Sequence, residues 1–370
     1  MKLAILTYGK DKPLGKFSKG YINDLPFERV VFFGGIIPFF TLGTPKWKQK
    51  LIRYIITILA LNQPEKIENL KKKRLSYLLK KHKITVGLAE FLNTGASVMP
   101  IFKENNIPLV SNVLGYEIND ERFLKRFEKK YRALAKYQSY TIPVAKDMIP
   151  ILENLGFKKD SIKYSPIGPA KHFFDIKPNY QSNSFVFIGR MTETKSPLNL
   201  IKAFKIVHDH FPQSHLIMAG DGELMQEVKF LITELSLNNA ITLEGWIDEK
   251  RQVELYQSSF CYVQHSMMSS TGDKEGTPVS ILEASASGMP VVSTHHAGIP
   301  DVILHQKTGF LIEERDVVGM AEMMMKLYSD RELAQDFGCA GRKFILDNFS
   351  LHAHLNIVSE LILKTQNQPL

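Results

Sequence analysis

Short apolar segments that alternate with helix-forming ones through the second half of the chain constrain its fold more than any other feature. "SFVFIGR" at 184–190 reads as a strand, and Ser196-Pro197 opens the next helix as a cap and first-turn pair. "SHLIMAGDGE" at 214–223 repeats the order of strand, glycine-rich turn and helix. "AITLEGW", "SFCYVQH", "MPVVST" and "GFLI" are further strands, with "EKRQVELYQ" a helix between the first two. Apolar strands without polar alternation, each followed by a helix, predict a parallel, doubly wound α/β sheet covered on both faces.

The first half shows the same alternation less cleanly. Strands are expected at 2–7, 29–33, 84–89, 108–112 and 138–142, and helices near 46–61, 64–82, 94–105 and 119–136. The Pro-, Gly- and Asn-rich interval 165–183 reads as a linker. A chain of 370 residues exceeds one compact core. The expectation is two Rossmann-like domains, 1–170 and 171–349, with an interdomain cleft and ligands beyond the carboxyl ends of the strands.

Composition narrows the class. With 44% hydrophobic and 23% charged residues the chain reads as a soluble globular protein. Two cysteines, Cys261 and Cys339, cannot build a disulfide framework, which fits a reducing compartment. "MKLAILTYGK" reads as a first strand rather than a signal peptide. The charge-free run Val30–Pro45 is broken by Gly35, Pro38 and Gly43 and falls short of the ~20 apolar residues of a bilayer span, so no transmembrane helix is expected.

Charge is uneven. Residues 1–83 hold 18 Lys/Arg against 5 Asp/Glu, while the whole chain carries only +9. A basic first quarter implies an anionic partner there: lipid headgroups, an anionic acceptor or nucleic acid. Within 45–83, "PKWKQKLIRYIITILALN" places Trp47, Leu51, Tyr54, Ile55 and Ile58 on one helical face and Lys46, Lys50 and Arg53 on another. That helix either turns its apolar face to the core or lays it on an anionic membrane. Nucleic acid is disfavoured, since no aromatic platforms interleave with the lysines.

The chemistry concentrates in "GDKEGTPVSILEASASGMPVVS" at 272–293. Thr277 suits an N-cap, Pro278 the first helical position, and Gly288 the helix end. A helix start of this kind can take a phosphate. Glu275 precedes it and Glu283 lies about two turns inside. Alone, the two carboxylates are equally consistent with solvated charge. Arg190 and Lys195, after the strand that ends at Gly189, can clamp a diphosphate or simply pair locally. "AGDGE" (219–223) and "AGIPD" (297–301) permit close backbone approach or are plain turns.

Their order closely resembles one family. "FIGRMTETKSPLNLIKAF", "LIMAGDGEL", "ITLEGW" and "EGTPVSILEASASGMPVVSTHHAGIPDVI…KTGFLI" resemble the donor half of retaining nucleotide-sugar glycosyltransferases of the GT-B fold. Their E-x7-E hallmark matches Glu275 and Glu283, and the wording is most similar to the exopolysaccharide branch of the colanic acid and amylovoran type. The resemblance covers roughly 84–347 and is strongest after 184. It implies that Arg190 and Lys195 hold the donor diphosphate, that Glu275 meets the sugar, and that Glu283 meets the ribose. It implies backbone amides from Gly276, Thr277 and Pro278, a donor-side role for Gly189 and Gly15, and Gly222, Glu223 and Trp246 near the base. It implies a hexose moved with retention from a nucleotide-diphosphate sugar, UDP favoured, to a saccharide or lipid-linked acceptor in cell-surface polysaccharide, capsule or lipopolysaccharide synthesis. No cofactor or metal is expected, and no Asp-x-Asp occurs. The location expected is cytoplasmic, with peripheral attachment to the inner membrane face as a variant. The final helix, near 350–364, is expected to return to the first domain.

The first half departs from the pattern. Where the family carries His-Gly-x-Asp, this chain has Leu114, Gly115, Tyr116 and Glu117. Asn112 and Glu117 are the nearest polar substitutes for the missing histidine, so a catalytically weak nucleotide-sugar binder is the alternative. The first loop, "GKDKPLGKFSKG", has Gly15 in place of a Gly-Gly turn, with Lys10, Lys12, Lys16 and Lys19 facing an anionic acceptor or solvent. His295 and His296 have no partner at metal-ligand spacing. His82 and His265 read as ordinary polar residues, and Met323, Met324 and Met325 as core filling.

Overall fold

The computed structural model describes residues 1–9, 22–137 and 139–366. Gly15 and the four lysines around it lie outside the described residues. The chain divides into two units. One holds Met1–Ile118, Arg122–Ser165 and the chain from Leu355; the other holds Asn119–Glu121 and Pro166–His354.

The first unit is built on strands β1 (Lys2–Leu6), β2 (Glu28–Phe33), β3 (Phe40–Thr41), β4 (Val86–Ala89), β5 (Leu109–Val113) and β6 (Tyr140–Pro143). They lie in the order β3-β2-β1-β4-β5-β6. All neighbours are parallel except β2 and β3, where Phe32 faces Thr41 and Phe33 faces Phe40 in antiparallel register. The sequence reading missed β3. Two residues are too few for periodicity to register, and the strand is placed by Gly34 and Gly35, whose φ angles of +126° and +113° turn the chain back.

The second unit is wholly parallel. Strands β7 (Ser184–Ile188), β8 (His215–Ala219), β9 (Ile241–Gly245), β10 (Cys261–Val263), β11 (Val291–Thr294) and β12 (Gly309–Ile312) lie in the order β12-β11-β10-β7-β8-β9. The strand order reverses between β7 and β10, which makes the loops after these two strands the place where such a sheet opens for a ligand. Phe185, Phe187, Met218, Val263 and Val292 are buried beneath the helices Pro197–His210 and Val317–Ser329. Helices on both faces explain why these strands carry apolar residues throughout. Met324 is buried and Met323 and Met325 pack beside it, so the methionine run is core filling.

Local signals hold with some shifts. Helix Glu249–Ser258 is capped by Asp248, whose side chain accepts the Arg251 N–H at 2.8 Å. The Ser196-Pro197 start behaves differently: Pro197 is the first helical residue, but Ser196 makes no side-chain cap and takes φ +43°. A non-glycine residue held in the left-handed region is locally strained and must be fixed by its surroundings.

Candidate active site

The loops after β7, β8, β10, β11 and β12 leave the same carboxyl edge of the parallel sheet, and hydrogen bonds stitch them together. The β7 and β8 ends meet first. Gly189 N–H donates to the Ala219 carbonyl at 2.9 Å, and Met191 N–H to that of Asp221 at 3.0 Å. A Cβ on Gly220 would run into the Gly189 carbonyl, and one on Gly222 into that of Met191. Glycine is required at both positions because backbone passes backbone there without room for a side chain. Gly220 N–H also reaches the Gly245 carbonyl at 2.7 Å, which ties in the end of β9.

The loop after β10 is clasped to the loop after β7. Ser270 donates its N–H and its hydroxyl to the Glu193 carboxylate, each at 2.8 Å, and Met267 N–H donates to the Thr194 carbonyl at 3.0 Å. This clasp brings Lys195 to Glu275: Nζ and Oε1 are 2.9 Å apart, with the two side chains only 13% and 15% exposed. Lys195 Nζ also lies 3.4 Å from Gln264 Oε1. Gln264 belongs to a buried polar cluster in which the Tyr262 hydroxyl lies 2.9 Å from Gln264 Oε1, 2.8 Å from Ser280 Oγ and 3.0 Å from the Ile188 carbonyl. Burial pushes the Tyr262 phenol well above its ordinary value, so the cluster stays uncharged around the ion pair.

A second support reaches Glu275 from β11. Its N–H donates to His296 Nε2 at 3.1 Å, and His296 Nδ1 lies 2.6 Å from Glu314 Oε1. An imidazole that accepts at Nε2 and faces a carboxylate at Nδ1 carries its proton on Nδ1. Glu314 also accepts the Met268 N–H at 2.9 Å. Burial raises the Glu314 carboxyl, but the hydrogen bonds from His296 and Met268 outweigh it and hold the group below the usual glutamate range. Nearby, burial raises Asp273, with Glu275 adding to the shift. His265 is fully buried, accepts the Arg315 N–H at Nε2 (2.8 Å), and is pushed by burial down to about 4.

Helix Val279–Ala286 starts one residue later than the sequence suggested. Pro278 occupies the cap position, no side chain caps the helix, and Thr277 is buried. Pro278 has no N–H, so amides can come only from its neighbours; this corrects the expectation of an amide donor there. The helix ends as expected: Gly288 takes φ +79°, and Met289 N–H returns to the Ala284 carbonyl at 3.0 Å. Glu283 is held from the side by Gln252, whose Nε2 donates to Oε2 at 2.6 Å. Gly276 accepts the Gly298 N–H at 3.2 Å, which fastens "AGIPD" to the glutamate loop. Arg190 and Glu223 are exposed at their strand ends, and Trp246 is 75% exposed beyond β9.

The acceptor-side candidates sit in the first unit, around the end of β5. Asn112 is buried within the strand, and Gly115 takes φ +133°. Glu117 is turned inward: Oε1 accepts the Leu114 N–H at 2.9 Å and the Leu92 N–H at 3.4 Å, and Oε2 accepts the Gly115 N–H at 3.0 Å. Burial raises its carboxyl against the pull of these bonds. Glu117 therefore braces its own loop rather than presenting a carboxylate to a ligand, which corrects its reading as a stand-in for the missing histidine. Tyr116 shares its hydroxyl with Asn93 Nδ2 at 3.2 Å, and burial pushes its phenol up.

The sequence reading weighed His296 only as a metal ligand and missed Glu314, Gln252 and Gln264. Each acts through a partner distant in sequence, so no local spacing marks it. Position alone was informative, since His296 and Gln264 each follow a strand at its carboxyl end. Among the described residues, no three His, Cys, Asp or Glu side chains are grouped so as to hold a metal ion.

This constellation falls within the stretch 170–344, which matches the sequence model of the glycosyl transferases group 1. The stretch belongs to that family. The amylovoran biosynthesis glycosyltransferase AmsK of Erwinia amylovora is 24% identical over 251 residues, 67% of this chain and 62% of that protein. A UDP-Gal:alpha-D-GlcNAc-diphosphoundecaprenol alpha-1,3-galactosyltransferase of Escherichia coli is 26% identical over 211 residues, 55% of this chain and 52% of that one. The matched region thus spans about half to three fifths of these curated relatives. Among solved structures, Anabaena HepE in complex with UDP superposes with a TM-score of 0.78 at 16% identity, covering 98% of this chain and all of that one. Sucrose-phosphate synthase from Thermosynechococcus elongatus gives 0.76 at 14% identity, covering 98% of each chain. The fold is GT-B: two α/β units, each on its own mainly parallel sheet.

Proposed function

We propose that the chain is a retaining, metal-independent hexosyltransferase that uses a nucleotide-diphosphate sugar, UDP-linked by preference. The acceptor is a saccharide or lipid-linked saccharide destined for cell-surface polysaccharide. The observation that carries this reading is the shielded Lys195–Glu275 pair at the point where the strand order of the second sheet reverses. Relatives point the same way: HepE was crystallised with UDP, and the Escherichia coli relative is named for UDP-Gal and a diphosphoundecaprenol-linked acceptor.

In this reading Arg190 and Lys195 take the donor diphosphate, aided by N–H groups at the uncapped start of helix Val279–Ala286. Lys195 shifts part of its charge from Glu275 to phosphate, and the freed Glu275 oxygen accepts from a sugar hydroxyl. Glu283, set by Gln252, accepts from the ribose, and Gly222, Glu223 and Trp246 border the base. Transfer breaks the bond between the anomeric carbon and the phosphate oxygen, whose electron pair stays on the diphosphate. The acceptor oxygen bonds to that carbon on the same face, and its hydroxyl proton passes to the departing phosphate. The cations stabilise the charge that develops on the leaving group.

The test is a panel of UDP- and GDP-sugars with saccharide and lipid-linked acceptors, scored for nucleotide release and product. Turnover with one donor, lowered by about 100-fold or more in Lys195→Ala and Glu275→Ala, supports the assignment. Undiminished turnover in both variants would sink it. Leu114 at the family histidine position favours a second reading, a nucleotide-sugar binder without turnover. Saturable donor binding with neither transfer nor hydrolysis selects that one.

A further inference from the structure

Helix Lys46–Leu59 in the first unit is inverted relative to an ordinary surface helix. Its inner side packs Ile52 and Ile56 on Phe33, Phe39 and Phe40, and the Arg53 guanidinium lies 5.0 Å from the centre of the Phe40 ring. The opposite side, where polar residues belong, carries Trp47, Leu51, Tyr54, Ile55 and Ile58 at helical spacing. All five are exposed, Trp47 to 66% and Tyr54 to 65%. Leu59 at the helix end and Leu61 beyond it are exposed as well, and Leu42 stands before its start. The core-facing alternative for this stripe is therefore ruled out. A contiguous outward apolar face of this size marks a docking surface.

Its charge indicates what docks there. Lys46, Lys48 and Lys50 are exposed around the stripe, and no Asp or Glu occurs between Glu28 and Glu65. Apolar side chains within a one-sign basic rim suit a bilayer surface: the stripe enters the headgroup boundary while the lysines reach anionic phosphates. A second copy of the same face would set lysine rim against lysine rim. The helix has 14 residues, and no helix among the described residues is long and apolar enough to cross a membrane, so the element lies on a bilayer rather than through it.

We propose that helix Lys46–Leu59 docks this protein onto an anionic lipid surface, with Trp47, Leu51, Tyr54 and Ile58 inserted and Lys46, Lys48 and Lys50 on the headgroups. The inference stands apart from the transfer reaction, and its test reads binding alone.

The full chain carries two tryptophans, so Trp246→Phe leaves Trp47 as the sole reporter. The protein is mixed with vesicles of equal parts phosphatidylglycerol and phosphatidylcholine, or of phosphatidylcholine alone, at low and high salt. Expected is sedimentation with the anionic vesicles at low salt, release at high salt, and a blue-shifted Trp47 emission shielded from acrylamide. Lys46→Gln/Lys48→Gln/Lys50→Gln weakens partitioning up to about a hundredfold, at roughly fivefold for each basic residue near the surface. Trp47→Glu/Leu51→Glu/Ile58→Glu, three exposed positions, abolishes it. Should that triple variant unfold, acrylamide shielding in the Trp246→Phe protein decides alone. The proposal is overturned by indifference to vesicles at both salts, by unchanged binding in a folded glutamate variant, or by a vesicle-free dimer that those glutamates dissolve.

Discussion

In the second unit, the loops after β7 and β10 reach toward each other through Glu193–Ser270 and Lys195–Glu275, and their charged groups stay near the surface of the sheet edge. In the first unit, the loop after β5 turns its carboxylate, Glu117, back onto its own backbone N–H groups. Both sheets share one strand order, with the first strand central and the reversal beside it. The same strand order therefore carries opposite uses of a glutamate: one held by a cation at the edge, the other consumed in building the loop. A glutamate becomes available for ligand chemistry when its restraint is an exchangeable partner such as a lysine. One locked by several backbone donors has no remaining reach.

The strongest way to break that contrast is to remove the exchangeable partner. Lys195→Ala is expected to lower kcat by about 100- to 1,000-fold with the fold retained, as for loss of one group that stabilises developing charge. Adding Glu275→Gln should cost little more, since the two side chains act as a pair. Asn112→Ala in the first unit should cost far less, and equal losses would erase the contrast.

His265 sharpens it through stability. Its folded pKa, about 4, lies below the ordinary histidine value of 6.5, so the unfolded chain binds the extra proton first. Stability is complete above that ordinary value and falls as pH drops from there toward 4. The loss reaches roughly 3 kcal/mol. Urea titrations across this range should show the loss in the wild type and a flatter profile in His265→Gln; parallel profiles would refute the assignment. Glu117→Gln should destabilise by about 1–3 kcal/mol in the same assay, because a side-chain amide repels an N–H that the carboxylate accepted.

A smaller loss of activity is expected at His296, which touches the candidate site through the backbone N–H of Glu275. His296→Ala should lower kcat about tenfold through a misplaced loop. His296→Gln, which can still accept from Glu275 N–H and donate to Glu314, should recover most of that activity. Equal loss in both variants would show that the histidine does more than position.

Much of the fold was legible. Continuous apolar strands, glycine turns and Pro-opened helices gave β7 to β12 nearly residue by residue, because burial on both faces leaves a compositional trace in the strands themselves. The residues of the candidate site, Arg190, Lys195, Glu275 and Glu283, were legible as a motif. Their restraints were not, since Gln252, Gln264, His296 and Glu314 reach the site across long stretches of sequence. β3 was invisible because its two residues owe their place to the positive-φ glycines before it.

By itself, the sequence determined that helix Lys46–Leu59 has an apolar stripe and basic flanks, because period and charge are local properties. Only the tertiary structure decided which side faces in. The inner side is chosen by Ile52 and Ile56 fitting against Phe33, Phe39 and Phe40 at the β2–β3 turn-back, which leaves the larger stripe for solvent. The same division holds at the site: the motif supplied two glutamates and two cations, and long-range packing made Lys195 the partner of Glu275.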